Sequence, residues 1–177
     1  VFLARDFYLP FVKIAQMVRT SPLDIISENL IKKNETIAIA ESVTSGLLMA
    51  DFSLARNTTG FFQGGVVAYN LGQKARQLGV NPILAEQTNS VSEEVARQMA
   101  VGIAHAFCCE WGISITGYAA PVPELKIMQC FAFFSFSYKG AAVLTERIET
   151  PEKNQQRVQR IYIDRILKAF AHQTGLL

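Results

Sequence analysis

In the segment Glu41-Ser42-Val43-Thr44-Ser45-Gly46, three hydroxyl side chains fall within four positions, and LLMADFSLA after it has the period of a helix. The run before it, Thr36 to Ala40 (TIAIA), is short, apolar and rich in strand formers. The chain is therefore expected to turn from a buried strand into a helix at these hydroxyls. Such a junction can do two kinds of work. Ser42, Thr44, Ser45 and the free backbone N–H groups beside them can hold an anion, or the hydroxyls can do no more than cap the helix. Metal chemistry is not expected. Cys108, Cys109 and Cys130 lack a C-x-x-C spacing, and His105 and His172 stand far apart with no i, i+4 partner. No cofactor is implied, and a reducing cytosol suits three such cysteines.

The elements that would position these groups alternate between helix and strand. Ser21 or Asp24 can cap a helix running to about Lys33. A second strand is read over Phe61 to Tyr69, with Gly64 and Gly65 marking a bulge or a close backbone approach. A short helix around Lys74 follows. Ser90 or Ser92 can cap a helix whose stripe is Val95, Met99, Ile103 and Phe107. Ile113-Ser114-Ile115 returns as a strand. Gln129 to Tyr138 and Ala142 to Ile148 read as a hairpin closed around Lys139-Gly140, with the loop length left open. A last helix is expected from near Pro151, packing through Val158, Ile161, Ile166 and Phe170. This order predicts an α/β fold: a three-layer α/β/α sandwich with a mixed, mostly parallel sheet.

The chain has 177 residues, 50% of them hydrophobic, enough to bury one core without disulfides. Residues 21–177 are read as a single domain and residues 1–20 as an appendage able to cover the domain or a second subunit. That appendage holds Asp6 and no clean cleavage site, so it reads poorly as a signal peptide. Lys and Arg number 17 against 15 Asp and Glu, a balance that argues against a nucleic-acid partner. Apolar runs break before the ~18 to 20 residues a membrane-spanning helix needs.

IAIAESVTSG, at Ile37 to Gly46, resembles the IAxAESCTGG segment that opens the CinA C-terminal domain of competence/damage-inducible proteins. GGVVAY (Gly64–Tyr69), Lys74 with LGV (Leu78–Val80), VSEEVARQMA (Val91–Ala100) and SITG (Ser114–Gly117) support the resemblance in order. It implies the sandwich fold and a metal-independent amidohydrolase that cleaves the carboxamide of nicotinamide mononucleotide, releasing ammonia in pyridine-nucleotide recycling. The expected ligand is a pyridine nucleotide-like small molecule, and the expected state is a homo-oligomer in the cytoplasm.

Amide hydrolysis without a metal needs a nucleophile, a base, an oxyanion stabiliser and a hold on the substrate. The resemblance implies Thr59 as nucleophile, in the place of a serine in a PGAS-like turn, although its extra methyl narrows its rotamers. It implies Tyr69 and Lys74 as further catalytic groups. Taken without it, Tyr69 reads as a strand-end residue and Lys74 as a solvated helix residue. Ser42, Thr44, Ser45 and Thr116 would bind substrate, with Thr116 at the strand edge where open α/β sheets hold ligands. Lys153 is the nearest equivalent of a late arginine and would offer a point charge in place of a fork.

The departures fall on the phosphate pocket. Where the family continues with IAGPGGG, this chain has Tyr118-Ala119-Ala120-Pro121-Val122-Pro123-Glu124. Prolines lack N–H groups and Val122 resists positive φ, so a nest for an anion is not expected there. The helix start at Ser42–Gly46 and Lys74 remain as the expected phosphate donors. Two functions stay open: a divergent deamidase of this type, and a catalytically silent relative acting as a small-molecule-binding or assembly module.

Overall fold

The structure is a computed structural model that describes residues 21–176; the expected appendage at 1–20 lies outside them. Helix α1 (Pro22–Lys33) settles the choice of cap by using both candidates. The Ser21 hydroxyl accepts from the Asp24 N–H at 3.1 Å, and the Asp24 carboxylate accepts from the Ser21 N–H at 3.2 Å. The same carboxylate accepts from the Arg56 N–H at 3.0 Å, which ties α1 to the turn after α2 (Leu47–Ser53). Backbone donors, that of Arg56 foremost, hold the Asp24 carboxyl below its ordinary range.

Five strands form one sheet in the order β2-β1-β3-β4-β5: β1 (Ile37–Glu41), β2 (Phe62–Val67), β3 (Trp111–Tyr118), β4 (Cys130–Tyr138) and β5 (Ala141–Thr150). β2 and β3 lie parallel to β1, β4 is antiparallel to β3, and β5 is antiparallel to β4. All but β4 therefore run in one direction. The β4–β5 turn is two residues long: Lys139 (φ 49°) and Gly140 (φ 85°) both take the left-handed conformation that matches strand twist.

The central strand shows why there are three layers. Ile37 and Ile39 face one side, in a core with Leu30 of α1, Phe52 of α2 and Tyr162 and Phe170 of α6 (Gln155–Gln173). Ala38 and Ala40 face the other, under α3 (Leu71–Leu78), α4 (Pro82–Gln87) and α5 (Glu93–Ala106), with Met99 and Ile103 packed above them. Small residues let α5 sit close. A Cβ on Gly112 would overlap the Ala100 carbonyl, while the Ser114 and Ser137 hydroxyls donate to the Ala96 and Ala100 carbonyls at 2.5 and 2.8 Å. The glycine pair in β2 marks the expected irregularity: Gly64 has φ +105°, and a Cβ on Gly65 would overlap the Ile39 carbonyl. The β1–β2 register shifts there, between Ile37 and Ala38.

Two elements differ from the sequence reading. α4 is an additional short helix, capped by Asn81, whose side chain accepts from the Ile83 and Leu84 N–H groups with Pro82 in the first turn. α6 starts at Gln155 rather than near Pro151, because Asn154 caps it through the Arg157 N–H at 3.2 Å. The Glu152 carboxylate takes the Lys153 and Asn154 N–H groups just before it. Among the described residues, no helix is long and apolar enough to cross a membrane, and no three His, Cys, Asp or Glu side chains group to hold a metal.

Candidate active site

The parallel strands β1, β2 and β3 end at one edge of the sheet, and the chain leaves β1 between neighbours on either side. That edge is where open α/β sheets place ligands. A cavity of about 520 Å³ opens there, lined by Ser42, Tyr69, Asn70, Lys74, Asn89 and Gln155 among others.

Glu41, the last residue of β1, is fully buried and decides what the start of α2 can do. Its carboxylate accepts from the Gly46 N–H at 3.0 Å, the Leu48 N–H at 3.2 Å and the Met49 N–H at 2.7 Å. Ser45 (φ 52°) and Gly46 (φ 97°) make the turn that brings these donors round it. The expected anion site at Ser42–Gly46 is thus filled by the protein's own carboxylate. Glu41 was legible as part of the motif, but no reading of spacing gave it this role.

Ser42 follows directly. It is buried, it lines the cavity, and its hydroxyl accepts from Lys74 Nζ at 3.2 Å. Lys74 sits one turn into α3, which Asn70 caps by accepting from the Gln73 N–H at 3.0 Å. It shares the inward face with Leu78, four residues on, so the lysine is not the solvated residue its type suggests. It is 2% exposed, and among the described residues no carboxylate lies within ion-pair distance of it. Burial pushes the ammonium down to about 8 from 10.5. A hydroxyl beside an amine that loses its proton this readily is the arrangement of a serine nucleophile and its base.

The other expected site residues separate. Tyr69 is 66% exposed at the cavity rim. Thr116 is buried and donates to the Ser90 carbonyl at 2.8 Å, so it fixes the loop before α5 and is not among the cavity residues. The Thr44 hydroxyl is buried without a hydrogen-bond partner among the described residues. Ser45 faces a different groove, beside Glu152 and Arg160. Lys153 is exposed in the turn after β5, and Gln155 lines the cavity in its stead. Thr59 is exposed in the single turn before β2. Phe62 pairs with Ile37 at the start of β1, so Thr59 stands at the opposite edge, roughly 15 Å of strand from Ser42. Within one protomer it does not share the cleft.

Three neutral lining side chains, Asn70, Asn89 and Gln155, were not singled out from the sequence. Asn89 follows α4, the unread helix, and its Nδ2 donates to Tyr118 Oη at 2.9 Å. The segment after Tyr118 closes on itself. Val122 and Ile127 exchange both backbone hydrogen bonds, at 2.8 and 3.1 Å, and Lys126 takes φ 58°.

A family model described as CinA C-terminal domain matches residues 20–173. A CinA-like protein of Rippkaea orientalis is 39% identical over 97 residues, which is 55% of this chain and 23% of that protein. A putative competence-damage inducible protein of Alkaliphilus oremlandii is 42% identical over 98 residues, 55% of this chain and 24% of that protein. The matched stretch thus spans about a quarter of the length of these relatives. The crystal structure of a competence-damaged protein (CinA) superfamily protein from Enterobacter cloacae superposes with a TM-score of 0.82 at 25% identity, covering 88% of this chain and 91% of that one.

Proposed function

The chain belongs to the CinA C-terminal domain family, and from that premise we propose that it is a metal-independent amidohydrolase acting on the carboxamide of a nicotinamide nucleotide-type compound. One observation carries the reading: the Ser42 hydroxyl lies 3.2 Å from the Nζ of a buried lysine that gives up its proton near pH 8. The nucleophile in this reading is Ser42 rather than Thr59, because Ser42 lines the cavity and Thr59 does not.

In the first half-reaction, neutral Lys74 takes the Ser42 proton as Oγ attacks the amide carbon. The proton then passes to the leaving nitrogen, the C–N bond breaks, and ammonia departs from an ester on Ser42. Water attacks that ester, Lys74 takes and returns a proton, and the carboxylic acid leaves with Ser42 restored. Tyr69 at the rim presents an aromatic face to the pyridine ring. Asn70 and Gln155 face the remainder of the ligand.

The test is ammonia release from nicotinamide mononucleotide, nicotinamide riboside and free nicotinamide by the wild-type chain and by Ser42→Ala. Release from at least one glycosylated amide, lost by more than about 100-fold in Ser42→Ala, is the expected result. Unchanged release by Ser42→Ala would overturn the assignment of the nucleophile. Absence of release from all three would leave a ligand-binding module.

A further inference from the structure

We infer that the cavity at the Ser42 edge is built for an unphosphorylated, nucleoside-type aromatic carboxamide, and that a 5′-phosphate on the ligand weakens its binding. The inference rests on the hydrolytic reading only in that the same cavity holds the carboxamide against Ser42.

A phosphomonoester near pH 7 carries close to two negative charges and seeks Arg or Lys side chains, or a cradle of backbone N–H groups. Two backbone sources are closed here. The N–H groups at the start of α2 are held by the Glu41 carboxylate, which would also repel an anion approaching that turn. The loop after β3 carries Pro121 and Pro123, which have no N–H, and its Val122 N–H is bonded to Ile127. Among the described residues lining the cavity, Lys74 is the single cation. Its Nζ is buried and bonded to Ser42, and the charge it carries is lost as pH rises through about 8. The other charged residue of the lining is a carboxylate, Glu86 of α4, which is exposed at the rim. Lys153 does not line the cavity.

What remains suits hydroxyls. Asn70 spends its Oδ1 on the Gln73 N–H, leaving its NH2 group for a ligand. Asn89 uses Nδ2 on Tyr118, leaving its carbonyl oxygen. Gln155 adds a neutral amide beside them. Donors and acceptors of this kind match the alternating needs of sugar hydroxyls. A volume of about 520 Å³ falls within the range of small-molecule sites. An N-glycosylated nicotinamide is also a cation, which Glu86 and the face of Tyr69 favour.

Two measurements on the wild-type chain separate this inference from the hydrolytic reading. The first is kcat/KM for ammonia release from nicotinamide riboside and from nicotinamide mononucleotide. The second is calorimetric binding of nicotinic acid riboside and nicotinic acid mononucleotide, which differ only in the phosphate and carry no amide to cleave. The riboside member is expected to win by about tenfold in both, equivalent to about 1.4 kcal/mol. Glu86→Lys, which places a cation at the rim, is expected to improve the mononucleotide about fivefold or more and to weaken the riboside, whose cationic ring loses Glu86. Ribosides that bind better but are not hydrolysed would support the inference and sink the hydrolytic reading. A mononucleotide that binds as well as its riboside, binding of neither, or a Glu86→Lys chain with no gain for the mononucleotide would overturn the inference.

Discussion

The two edges of the sheet treat charge in opposite ways. Where β1 and β3 begin, Glu35 accepts from Trp111 Nε1 at 2.8 Å and from Tyr138 Oη at 2.7 Å. Beside it, Glu110 accepts from the Thr36 N–H at 2.7 Å and the Thr36 hydroxyl at 2.9 Å. Backbone donation from Thr36, the main cause, holds the Glu110 carboxyl below its ordinary range. Each carboxylate there has donors and some access to water. Where the parallel strands end, Glu41 is equally well served, but Lys74 is buried with the hydroxyl of Ser42, the residue after Glu41, as its hydrogen-bond partner. A fold that satisfies its carboxylates and leaves one lysine short of a countercharge keeps that lysine ready to lose its proton. On the hydrolytic reading, the first edge serves stability and the second chemistry, at some cost to stability.

The sharpest way to break this contrast is Lys74→Met, which keeps the length and removes the amine. Ammonia release should fall by about 100-fold or more, and wild-type kcat/KM should rise with pH to a plateau governed by a group titrating near 8. Stability should move the other way. In the unfolded chain the lysine holds its proton up to about 10.5, whereas in the folded chain it releases it near 8. Between those values the unfolded state binds more protons, so wild-type stability gains with rising pH across that window, falls as pH drops from 10.5 toward 8, and levels off below 8. Lys74→Met should therefore be more stable than wild type at pH 7, by on the order of 1 to 3 kcal/mol. The gap should close toward pH 10, as read by denaturant melts of both chains. A variant less stable than wild type at pH 7 would mean that the lysine is compensated and that the two edges are alike.

The complementary change is Glu35→Ala. It strips the acceptor from Trp111 Nε1 and Tyr138 Oη, and leaving part-buried donors unpaired costs roughly 1 to 2 kcal/mol. Melts should record that loss. The specific rate of ammonia release at 25 °C should stay within about twofold of wild type while the chain is folded. A selective loss of rate would join the two edges into one functional unit.

The sheet was legible because its strands are apolar runs bounded by turn residues, and Lys139-Gly140 could close the hairpin only with both residues left-handed. Boundaries were lost where side chains other than the expected ones did the capping, as Asn154 did for α6 and Asn81 for α4. The site was legible in part. Ser42 and Lys74 could be named from the motif, but their pairing depends on which face of α3 turns inward. Lys74 and Leu78 settle that face together with Val80 and the alanines beneath them. Glu41 escaped as a ligand for N–H groups because the motif shows the carboxylate without showing that the turn through Ser45 and Gly46 folds back over it. Thr59 was misplaced for a simpler reason. Residue type identifies a hydroxyl, whereas the end of the strand on which it sits is fixed by the parallel pairing of β1 with β2.

That misplacement defines the smallest expected effect. Thr59 is exposed in the turn before β2. Its neighbour Thr58, whose hydroxyl donates to the Ala55 carbonyl at 2.5 Å, does the work of holding that turn. Thr59→Ala should therefore change stability by less than about 0.5 kcal/mol and leave kcat/KM for ammonia release within about twofold. A larger loss of activity with an unchanged melt would have a definite meaning, because strand geometry keeps Thr59 roughly 15 Å from Ser42 in the same chain. The threonine would then have to reach the Ser42 cleft of a second copy. Mixing Thr59→Ala chains with Ser42→Ala chains should in that case restore part of the activity, since some mixed assemblies would contain one intact cleft. If activity is unchanged by Thr59→Ala and mixtures restore nothing, the chemistry belongs to the Ser42 edge of each chain alone.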